Sequence, residues 1–590
     1  VRTHYLQQNR LIPMRDGTRL FTTIYLPRDT SRTYPVLLAR TPYGSDRYRS
    51  PLGPADAFAR AGYIFAFQDV RGRHGSEGDF EHVRPYRPEK RGAGEIDDVS
   101  DTYDTIEWLL RHVPRHNGRV GQYGISYPGY YAVMGLVDAH PALAASSPQA
   151  PIGDWFIGDD WHHNGAFLLA DAFFFFNVFG DRHVVRDSTG AAWFDYGTPD
   201  GYRFFLDAGP LRVLTKRYFR AVPFWNQMME HGTYDAFWRA RTPLPHLREI
   251  RPAVLNVGGW FDAENLWGTL AVYRTIEEHN PQAYNVLVIG PWTHGGWFSS
   301  DGEAFGDVQF GSKTSVFYHE KIEVPFFEHF LRGSGELRLP EAYVFETGAN
   351  RWREFSSWPP LGTRSVPLYF REGGRLARER PTGGATEAFD EYLSDPARPV
   401  PYFADIVARR KAPQYMVADQ RFAATRPDVL VYQTDPLTQD VTVAGPITAT
   451  LFVTTTGTDA DWVVKLIDVY PDDFPDPDPN PRGVRMGGYQ QLVRGDVMRG
   501  KSRNSYERPE PFVPGHVTKV EFVLPDAFHT FRRRHRIMVQ IQSSWFPLVN
   551  RNPQTFGDIY RATEEDFRKA THRVYRAADR ASRLTVNVLR

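Results

Sequence analysis

The stretch VGQYGISYPGYYAV at residues 120–133 decides the fold prediction. Its first residues are typical of a buried strand, and the apolar residues after the glycine-flanked turn favour a helix. Hydrolases built on an α/β sheet place a nucleophilic serine at such a junction, in the pattern G-x-S-x-G. Here Pro128 takes the place of the second glycine, which follows at Gly129. These residues alone leave two interpretations of Ser126: a nucleophile on a sharp turn, or a serine in a glycine-rich loop.

The residues around this stretch indicate a parallel sheet covered by helices. From about residue 10 to residue 150, strand-like runs such as YPVLLARTPYG (34–44) and YIFAFQDVRG (63–72) alternate with helical patterns. The segment DDVSDTYDTIEWLLRH (97–112) has apolar residues at helical spacing, acidic residues at its start and basic residues at its end. Such alternation is typical of α/β proteins.

The chain changes character twice more. Residues 151–245 are rich in Phe, Trp and His and favour helices, whereas strands resume in AVLNVGGWFD and NVLVIGPWTH, so we expect an inserted helical cap. After about residue 365 the sequence is β-rich, with Pro, Gly and Asp at the turns. We therefore predict an α/β-hydrolase domain (1–150 and 246–364), a helical cap (151–245) and a jelly-roll-like β-sandwich domain (365–590).

Composition excludes several classes of function. The 590 residues exceed the roughly 250–300 that one core supports. With 70 basic and 70 acidic residues, nothing indicates a nucleic-acid partner or an anionic membrane surface. The absence of cysteine excludes disulfides and thiolate chemistry. The most apolar run, AFFFFNVFG (172–180), is much shorter than the roughly 20 residues of a membrane helix, so we expect a soluble protein.

The two resumed strands supply the partners that a nucleophilic serine needs. A serine hydroxyl requires a base within hydrogen-bond reach, and that base requires an acid to fix its tautomer. In α/β-hydrolases the chain order is Ser, then Asp or Glu, then His, each after a strand. AVLNVGGWFD ends at Asp262 and NVLVIGPWTH ends at His294. The sequence therefore predicts Ser126 as nucleophile, Asp262 as orienting acid and His294 as base.

Several candidate residues also have simpler interpretations. Asp262 precedes a helical run and would serve as a helix cap, alone or together with its catalytic role. His294 is one of 19 histidines. His162 and His163 follow no predicted strand, so we expect them only to line a pocket. The acidic run YPDDFPDPDPN (470–480) lacks EF-hand spacing, which favours a solvated loop over a calcium site.

The motifs together resemble a known family. They are GISYPG (124–129), GGWFD (258–262), GPWTHGG (290–296), PYG (42–44) and DVRGRHGSEGDF (69–80). They resemble the CocE/NonD group of the X-prolyl dipeptidyl peptidase (S15) family over essentially the whole chain. Within that group, GDDWHHNGAF (158–167) and FDAENLWG (261–268) are most similar to the α-amino acid ester hydrolases and to glutaryl-7-aminocephalosporanic acid acylase. The displaced glycine is this family's own form of the nucleophile turn, G-x-S-Y-x-G.

The resemblance implies further site residues. It implies an oxyanion hole formed by the backbone N–H of Tyr127 and the hydroxyl of Tyr43. It also implies a cluster of carboxylates that holds the α-ammonium group of the substrate. Asp160 and Glu264 match two of its three positions, but Asn265 stands where the family has an aspartate. Because Asn265 keeps only a carbonyl acceptor, selection for α-amino acyl groups should be weaker here.

The resulting expectation is a serine hydrolase or acyltransferase that cleaves small esters or amides through an acyl-enzyme. α-Amino acid esters or β-lactam side chains are the expected substrates. The alternatives are a glutaryl-type acylase, a general carboxylesterase, an X-prolyl dipeptidyl peptidase, or a catalytically retired binding protein. We expect no metal and no organic cofactor, no nucleic-acid or membrane partner, and a homo-oligomer (dimer or tetramer). The chain begins with Val rather than Met, so we expect a periplasmic or secreted protein, with a cytoplasmic one as the alternative.

Overall fold

The computed structural model describes residues 3–48, 52–89, 92, 94–179, 184–186, 192–382, 388–405, 407 and 412–590. Two large sheets organise this part of the chain, one in the N-terminal half with helices around it and one in the C-terminal half. None of the described helices combines the length and the apolar character that crossing a bilayer requires.

The described residues of the N-terminal half form a ten-stranded mixed sheet with the order β1-β2-β4-β3-β5-β6-β7-β8-β9-β10. Its strands are β1 (Tyr5–Pro13), β2 (Arg19–Pro27), β3 (Tyr34–Thr41), β4 (Ile64–Asp69), β5 (His116–Ile125), β6 (Leu143–Gln149), β7 (Ala253–Gly259), β8 (Asn285–Gly290), β9 (Ala342–Glu346) and β10 (Arg351–Phe355). The neighbours from β4 to β9 run parallel, and the pairs at both edges are antiparallel. The central strands are buried throughout because helices cover both faces.

The segment between β6 and β7 contains several helices and, among its described residues, four strands of two or three residues each. The described helices mostly cover this sheet or belong to that segment, and the last of them lies in the C-terminal half. They are α1 (Asp56–Ala61), α2 (Asp98–His112), α3 (Tyr127–Met134), α4 (Leu169–Phe179), α5 (Gly201–Ala208), α6 (Leu211–Leu214), α7 (Pro223–Glu230), α8 (Ala236–Arg239), α9 (Leu266–His279), α10 (Gly296–Ser299), α11 (Thr314–Tyr318), α12 (Val324–Arg332) and α13 (Arg421–Ala424). Asp97 caps α2 through a reciprocal pair of hydrogen bonds with Ser100, which agrees with the acidic start of that segment. In the sequence, helices α4 to α8 lie between β6 and β7, which are parallel neighbours in the sheet. This is the arrangement expected of an insertion.

The C-terminal half is all β apart from short helical turns. Its strands are β11 (Arg364–Arg371), β12 (Arg375–Ala377), β13 (Phe389–Ser394), β14 (Leu430–Gln433), β15 (Val441–Thr455), β16 (Asp461–Val469), β17 (Gln490–Arg499), β18 (Thr518–Phe531), β19 (Arg536–Gln542), β20 (Ala570–Ala577), β21 (Arg580–Ala581) and β22 (Arg583–Val588). The strand pairs described here are antiparallel except for β12 with β14. The long strands β15 and β18 pair along nearly their whole length and enclose an apolar core.

The predicted fold class is confirmed: a mixed α/β-hydrolase-like sheet with helices, followed by an all-β domain. The strands expected around residues 34–44 and 63–72 and before Ser126, Asp262 and His294 all form. The exact domain limits (1–150, 151–245, 246–364 and 365–590) stay a prediction.

Candidate active site

The turn between β5 and α3 holds Ser126 in a strained conformation. Its φ of 69° and ψ of −127° lie where residues with a side chain are rarely found. A Cβ atom at Gly124 would lie 2.2 Å from the backbone of Pro128, and one at Gly129 would lie 2.5 Å from the carbonyl oxygen of Gln149. Both glycines are therefore required, because the turn brings strand and helix backbones into direct contact. The geometry presents the Ser126 side chain above the sheet.

Asp262 and His294 are brought together across two neighbouring strands. β7 and β8 pair in parallel, so the loops that follow them leave the sheet at the same edge. The His294 Nδ1 atom lies 2.9 Å from one oxygen of Asp262 and 3.1 Å from the other. The same carboxylate accepts the backbone N–H groups of Glu264 and Asn265 at 2.8 and 3.0 Å. Asp262 therefore lies where it can orient the imidazole, and it also anchors the turn before α9. It is not the helix cap that the second interpretation expected, because Asn265 occupies the N-cap position of α9.

The other nitrogen of His294 faces a second carboxylate. Nε2 lies 3.4 Å from Oε2 of Glu264, and Ser126 and His294 line the same cavity. Burial lowers the pKa of the imidazole, but Asp262, Glu264 and Asp160 outweigh burial and raise that pKa to about 10. These carboxylates therefore favour the imidazolium form of His294, whose two ring nitrogens face Asp262 and Glu264.

Asp160 is buried beside this pair, in a left-handed backbone conformation with a φ of 43°. Its Oδ2 accepts hydrogen bonds from Trp155 Nε1 at 2.9 Å and from the Asn265 amide at 2.7 Å. Burial, followed by the charges of Glu264 and Asp159, raises its pKa well above the ordinary range. The protonated form of the Asp160 carboxyl is therefore favoured, and a cation beside it would favour the ionised form.

Asn265 does not line the cavity that holds these carboxylates. It lies behind Asp160, to which its amide nitrogen donates, and its Oδ1 atom is buried without a hydrogen-bond partner among the described residues. The family resemblance implied that Asn265 contacts the substrate. The structure gives it a different contact, because its side chain supports Asp160.

Two hydrogen-bond donors lie beside Ser126. Tyr127 is the first residue of α3, where N–H groups lack acceptors within the helix and the helix dipole favours negative charge. Tyr43 lines the cavity and packs edge-on against the Tyr127 ring at 6.4 Å. Burial, then the charges of Asp160 and Glu264, raises the pKa of the Tyr43 hydroxyl, which stays protonated and able to donate. Removal of one donor from such a pair costs about 10²–10³ in rate.

The glycine-rich loop at 69–80 holds the Tyr43 turn in place. The side chains of Arg73 and His74 contact the carbonyl oxygen of Pro42 at 3.0 and 3.2 Å. Asp69 accepts the backbone N–H of Ser45 at 2.5 Å. The loop has no lysine at a P-loop position, and these contacts give it a structural role instead.

The cavity has a volume of about 260 Å³ and is mostly aromatic away from the carboxylates. Its lining residues are Tyr43, Ser126, Tyr127, Ile152, Trp155, Asp160, Trp161, Asp171, Phe174, Phe175, Glu264, Thr293, His294, Ser299 and Pro413. Phe174 and Phe175 belong to the apolar run that the sequence excluded as a membrane helix. Pro413 comes from the C-terminal half of the chain, so both halves contribute to the wall.

Sequence reasoning missed one organising residue. Asp159 is fully buried and accepts the N–H groups of Gly153 and Gly268, each at 2.8 Å, which ties the Asp160 loop to the loop after β7. The pair of adjacent aspartates was the available signal for it.

Neither of the two histidines that were expected to line a pocket lines the cavity with Ser126. His162 contacts Tyr560. His163 contacts Asp496 and lines a separate, smaller cavity together with Glu264.

No group of three or more His, Cys, Asp or Glu side chains able to hold a metal ion occurs in the described part of the chain. Two acidic residues of segment 470–480 contact basic or backbone groups: Asp473 pairs with Arg534, and Asp476 accepts the backbone N–H of Met486.

Family models match both halves of the chain. Residues 16–296 match the X-Pro dipeptidyl-peptidase (S15 family) model, and residues 337–585 match the model of the X-Pro dipeptidyl-peptidase C-terminal non-catalytic domain. Cocaine esterase from Rhodococcus sp. (strain MB1 Bresler) is 28% identical over 99% of this chain and 98% of its own length.

Two solved structures are more similar in sequence. An α-amino acid ester hydrolase is 36% identical, with a TM-score of 0.92 over 99% of this chain and 97% of its own. An aminopeptidase from a marine sediment archaeon, Thaumarchaeota archaeon, is 37% identical, with a TM-score of 0.90 over 100% of this chain and 97% of its own. Full-length likeness at this level, together with the serine turn and the Asp262–His294 pair, identifies the chain as a serine ester hydrolase of the S15 family.

Proposed function

We propose that the protein hydrolyses esters of small α-amino acids, with Ser126, His294 and Asp262 as its catalytic triad. The observation that carries the proposal is that Asp160 and Glu264 line the same cavity as Ser126 and His294. Asp171 is a third acidic residue of the same wall. Carboxylates beside a nucleophile form a receptor for a cation next to the scissile carbonyl. In an amino acid ester, the α-ammonium group is the cation, and it is bound to the carbon next to the ester carbonyl.

In the proposed reaction Ser126 Oγ attacks the ester carbonyl and its proton passes to His294 Nε2. Tyr127 N–H and the Tyr43 hydroxyl donate to the oxygen that becomes negative. When the C–O bond breaks, the departing alcohol takes the proton from Nε2 and leaves an acyl group on Ser126. Water then attacks this ester by the same route, with His294 again as base, and releases the acid.

In this proposal the positive charge of the substrate lowers the pKa of the base, His294. His294 needs a neutral Nε2 to accept a proton, yet Asp262, Glu264 and Asp160 hold its pKa at about 10. An ammonium group bound between Asp160 and Glu264 opposes the effect of these carboxyl groups, chiefly that of Glu264, and lowers the pKa of the imidazole. It also stabilises the ionised form of Asp160. A substrate without this cation gains neither effect.

The test compares two methyl esters that differ only in the amino group, phenylglycine methyl ester and phenylacetate methyl ester. We expect kcat/KM to be at least about tenfold higher for the amino ester, since the opposite charges meet in a partly buried site. Equal values would remove the ammonium proposal. They would leave intact the assignment as a serine ester hydrolase, which rests on other observations.

A second candidate is the release of an N-terminal amino acid from a peptide. It is favoured by the 37% identical archaeal structure, which is named an aminopeptidase, and the same carboxylates would hold a peptide's terminal ammonium. Phenylglycine p-nitroanilide, assayed beside the methyl ester, separates the two. An anilide kcat/KM within tenfold of the ester value favours the peptidase, and a much lower value favours the esterase.

A further inference from the structure

Four residues behind the active site form a closed hydrogen-bond network that the reaction described above does not use. Gln149 is the last residue of β6, Trp297 lies in α10, and His319 and Glu323 begin and end the helical turn between α11 and α12. Gln149, Trp297 and Glu323 are at most 1% exposed, whereas the His319 side chain is 20% exposed. Burial of an amide and a carboxylate is costly unless both have partners, and here they have each other.

Each residue of this network, called the Gln149 network below, contacts the next at hydrogen-bond distance. Gln149 Nε2 donates to Glu323 Oε1 at 2.8 Å, and Trp297 Nε1 donates to Gln149 Oε1 at 2.7 Å. His319 Nδ1 lies 2.7 Å from Glu323 Oε2, and His319 Nε2 lies 2.8 Å from the carbonyl oxygen of Trp297. Both nitrogens of His319 therefore face acceptors, and only the imidazolium form can donate to both.

The surroundings of His319 favour that form. Burial lowers the pKa of the imidazole, but the charge of Glu323 and the hydrogen bonds to Glu323 and the Trp297 carbonyl outweigh burial and raise that pKa above its ordinary value. A buried ion pair is weak evidence for a stabilising role, because desolvation offsets much of its Coulomb energy. The significance of the pair therefore depends on what it holds in place.

The Gln149 network connects the two loops that carry the reacting groups. The backbone carbonyl of Gln149 accepts the N–H of Ser126 at 2.9 Å, so this residue also fixes the start of the nucleophile turn. Trp297 follows His294 by three residues and belongs to the helix that ends the loop of the base. The parallel strands bring both loops to one edge of the sheet, and the network links the loops to each other.

We propose that Gln149 and His319 are positioning residues that set the distance between Ser126 and His294. His319 holds the Trp297 carbonyl, and with it the helix behind the base. Gln149 holds the Trp297 indole and the nucleophile turn. Neither Gln149 nor His319 lines the cavity of Ser126 and His294, so both act through geometry alone. The proposal rests on the reacting groups of the proposed function, but not on the α-ammonium selection.

The test separates the two contacts of His319 by substitution. In His319→Gln the side-chain amide reaches the place of Nε2 and keeps the bond to the Trp297 carbonyl. In His319→Asn the shorter amide reaches only the place of Nδ1 and keeps the bond to Glu323. A variant that lost only a stabilising ion pair would show no preference for glutamine, whereas a positioning role through Trp297 requires it.

The expected difference lies in kcat. His319→Asn should lower kcat about tenfold or more for both phenylglycine methyl ester and phenylacetate methyl ester, with KM changed by less than about twofold. The reason is that a small displacement of reacting atoms slows the chemical step far more than it weakens binding. His319→Gln should keep kcat within about threefold of the wild-type value for both esters.

A matched control and a count of active sites accompany these variants. His329→Asn is the control, because His329 also contacts a carbonyl oxygen, that of Gly335 at 3.1 Å, and does not line the active-site cavity. It should leave kcat unchanged. A fluorophosphonate probe, taken to complete labelling, counts the active sites in each preparation, so kcat is expressed per site and a partly unfolded preparation does not imitate a slow enzyme.

Equal kcat values in His319→Asn and His319→Gln would overturn the proposal, because the network would then act only as a stabilising contact. An increase in KM with kcat unchanged would overturn it as well. Retained activity in Ser126→Ala is a different result, since it would overturn the proposed triad without any measurement on His319. Equal rates for the two methyl esters would affect only the ammonium proposal.

Discussion

The triad and the carboxylate pair meet in one cavity but are held by different means. Ser126, Asp262 and His294 each follow a parallel strand, so the register of the whole sheet fixes their positions. Asp160 and Glu264 depend on contacts between two loops: the N–H of Asp160 donates to the Glu264 carbonyl at 3.1 Å. In the proposed mechanism the reacting groups are thus held by the sheet, whereas the groups proposed to select the substrate are held by contacts between loops.

The largest expected effect comes from removing the proposed nucleophile, which is held by the sheet. Ser126→Ala should lower kcat by about 10⁴–10⁶ for amino and des-amino esters alike, because the nucleophile serves both. Labelling by a fluorophosphonate probe, measured by mass spectrometry, should be lost with it. Ser300→Ala is the control, since that hydroxyl donates to the Gly296 carbonyl and lies outside the cavity. Retained labelling in Ser126→Ala would assign the nucleophile elsewhere.

Removing the charge of Glu264 should have two smaller effects of opposite sign, one on the amino ester and one on the des-amino ester. Glu264→Gln should lower kcat/KM for the amino ester about tenfold, because one charge of the ammonium site is lost. For the des-amino ester it should raise kcat/KM at pH 7, because the pKa of His294 falls from about 10 when the charge 3.4 Å from Nε2 is removed.

The dependence of kcat/KM on pH tests the increase predicted for the des-amino ester. The base works only when neutral, so kcat/KM for the des-amino ester should rise with pH toward about 10 in the wild type. In Glu264→Gln the rise should occur at lower pH. Glu320→Gln, at an exposed position, should leave the profile unchanged. A profile that does not move in Glu264→Gln would contradict the coupling between Glu264 and the imidazole.

The smallest expected effect is at Asn265. The sequence comparison suggests that Asn265→Asp strengthens preference for the amino ester by adding a third carboxylate. The 2.7 Å contact between the Asn265 amide and Asp160 predicts otherwise, since two carboxyl groups at that distance share a proton. We expect the ratio of the two kcat/KM values to change by less than about threefold. A tenfold increase in that ratio would show that the added charge faces the substrate.

The same division explains how much of the site could be predicted from sequence. Ser126, Asp262 and His294 were identified because strands have a readable pattern and their carboxyl ends share one edge of the sheet. The fold class followed from the same pattern. The orientation of Asn265 and the role of Asp159 depend on which loop packs against which, and no periodicity in the chain records that.

For a different reason, the aromatic residues that line the cavity could not be identified from the sequence. The aromatic residues between 151 and 245 serve partly as core and partly as the wall of the cavity. Phe173 is fully buried, whereas its neighbours Phe174 and Phe175 line the cavity. A run of identical residues cannot indicate which of them faces the substrate, because the direction of each side chain depends on the helix that carries it.

Pro413 has a consequence for engineering this enzyme. It belongs to the segment matched by the C-terminal domain model, yet it forms part of the wall around Ser126. The two modules are therefore not interchangeable parts. A chimera that received residues 337–585 from a relative would inherit a piece of that relative's substrate range with them, even though every reacting atom stayed in the N-terminal half.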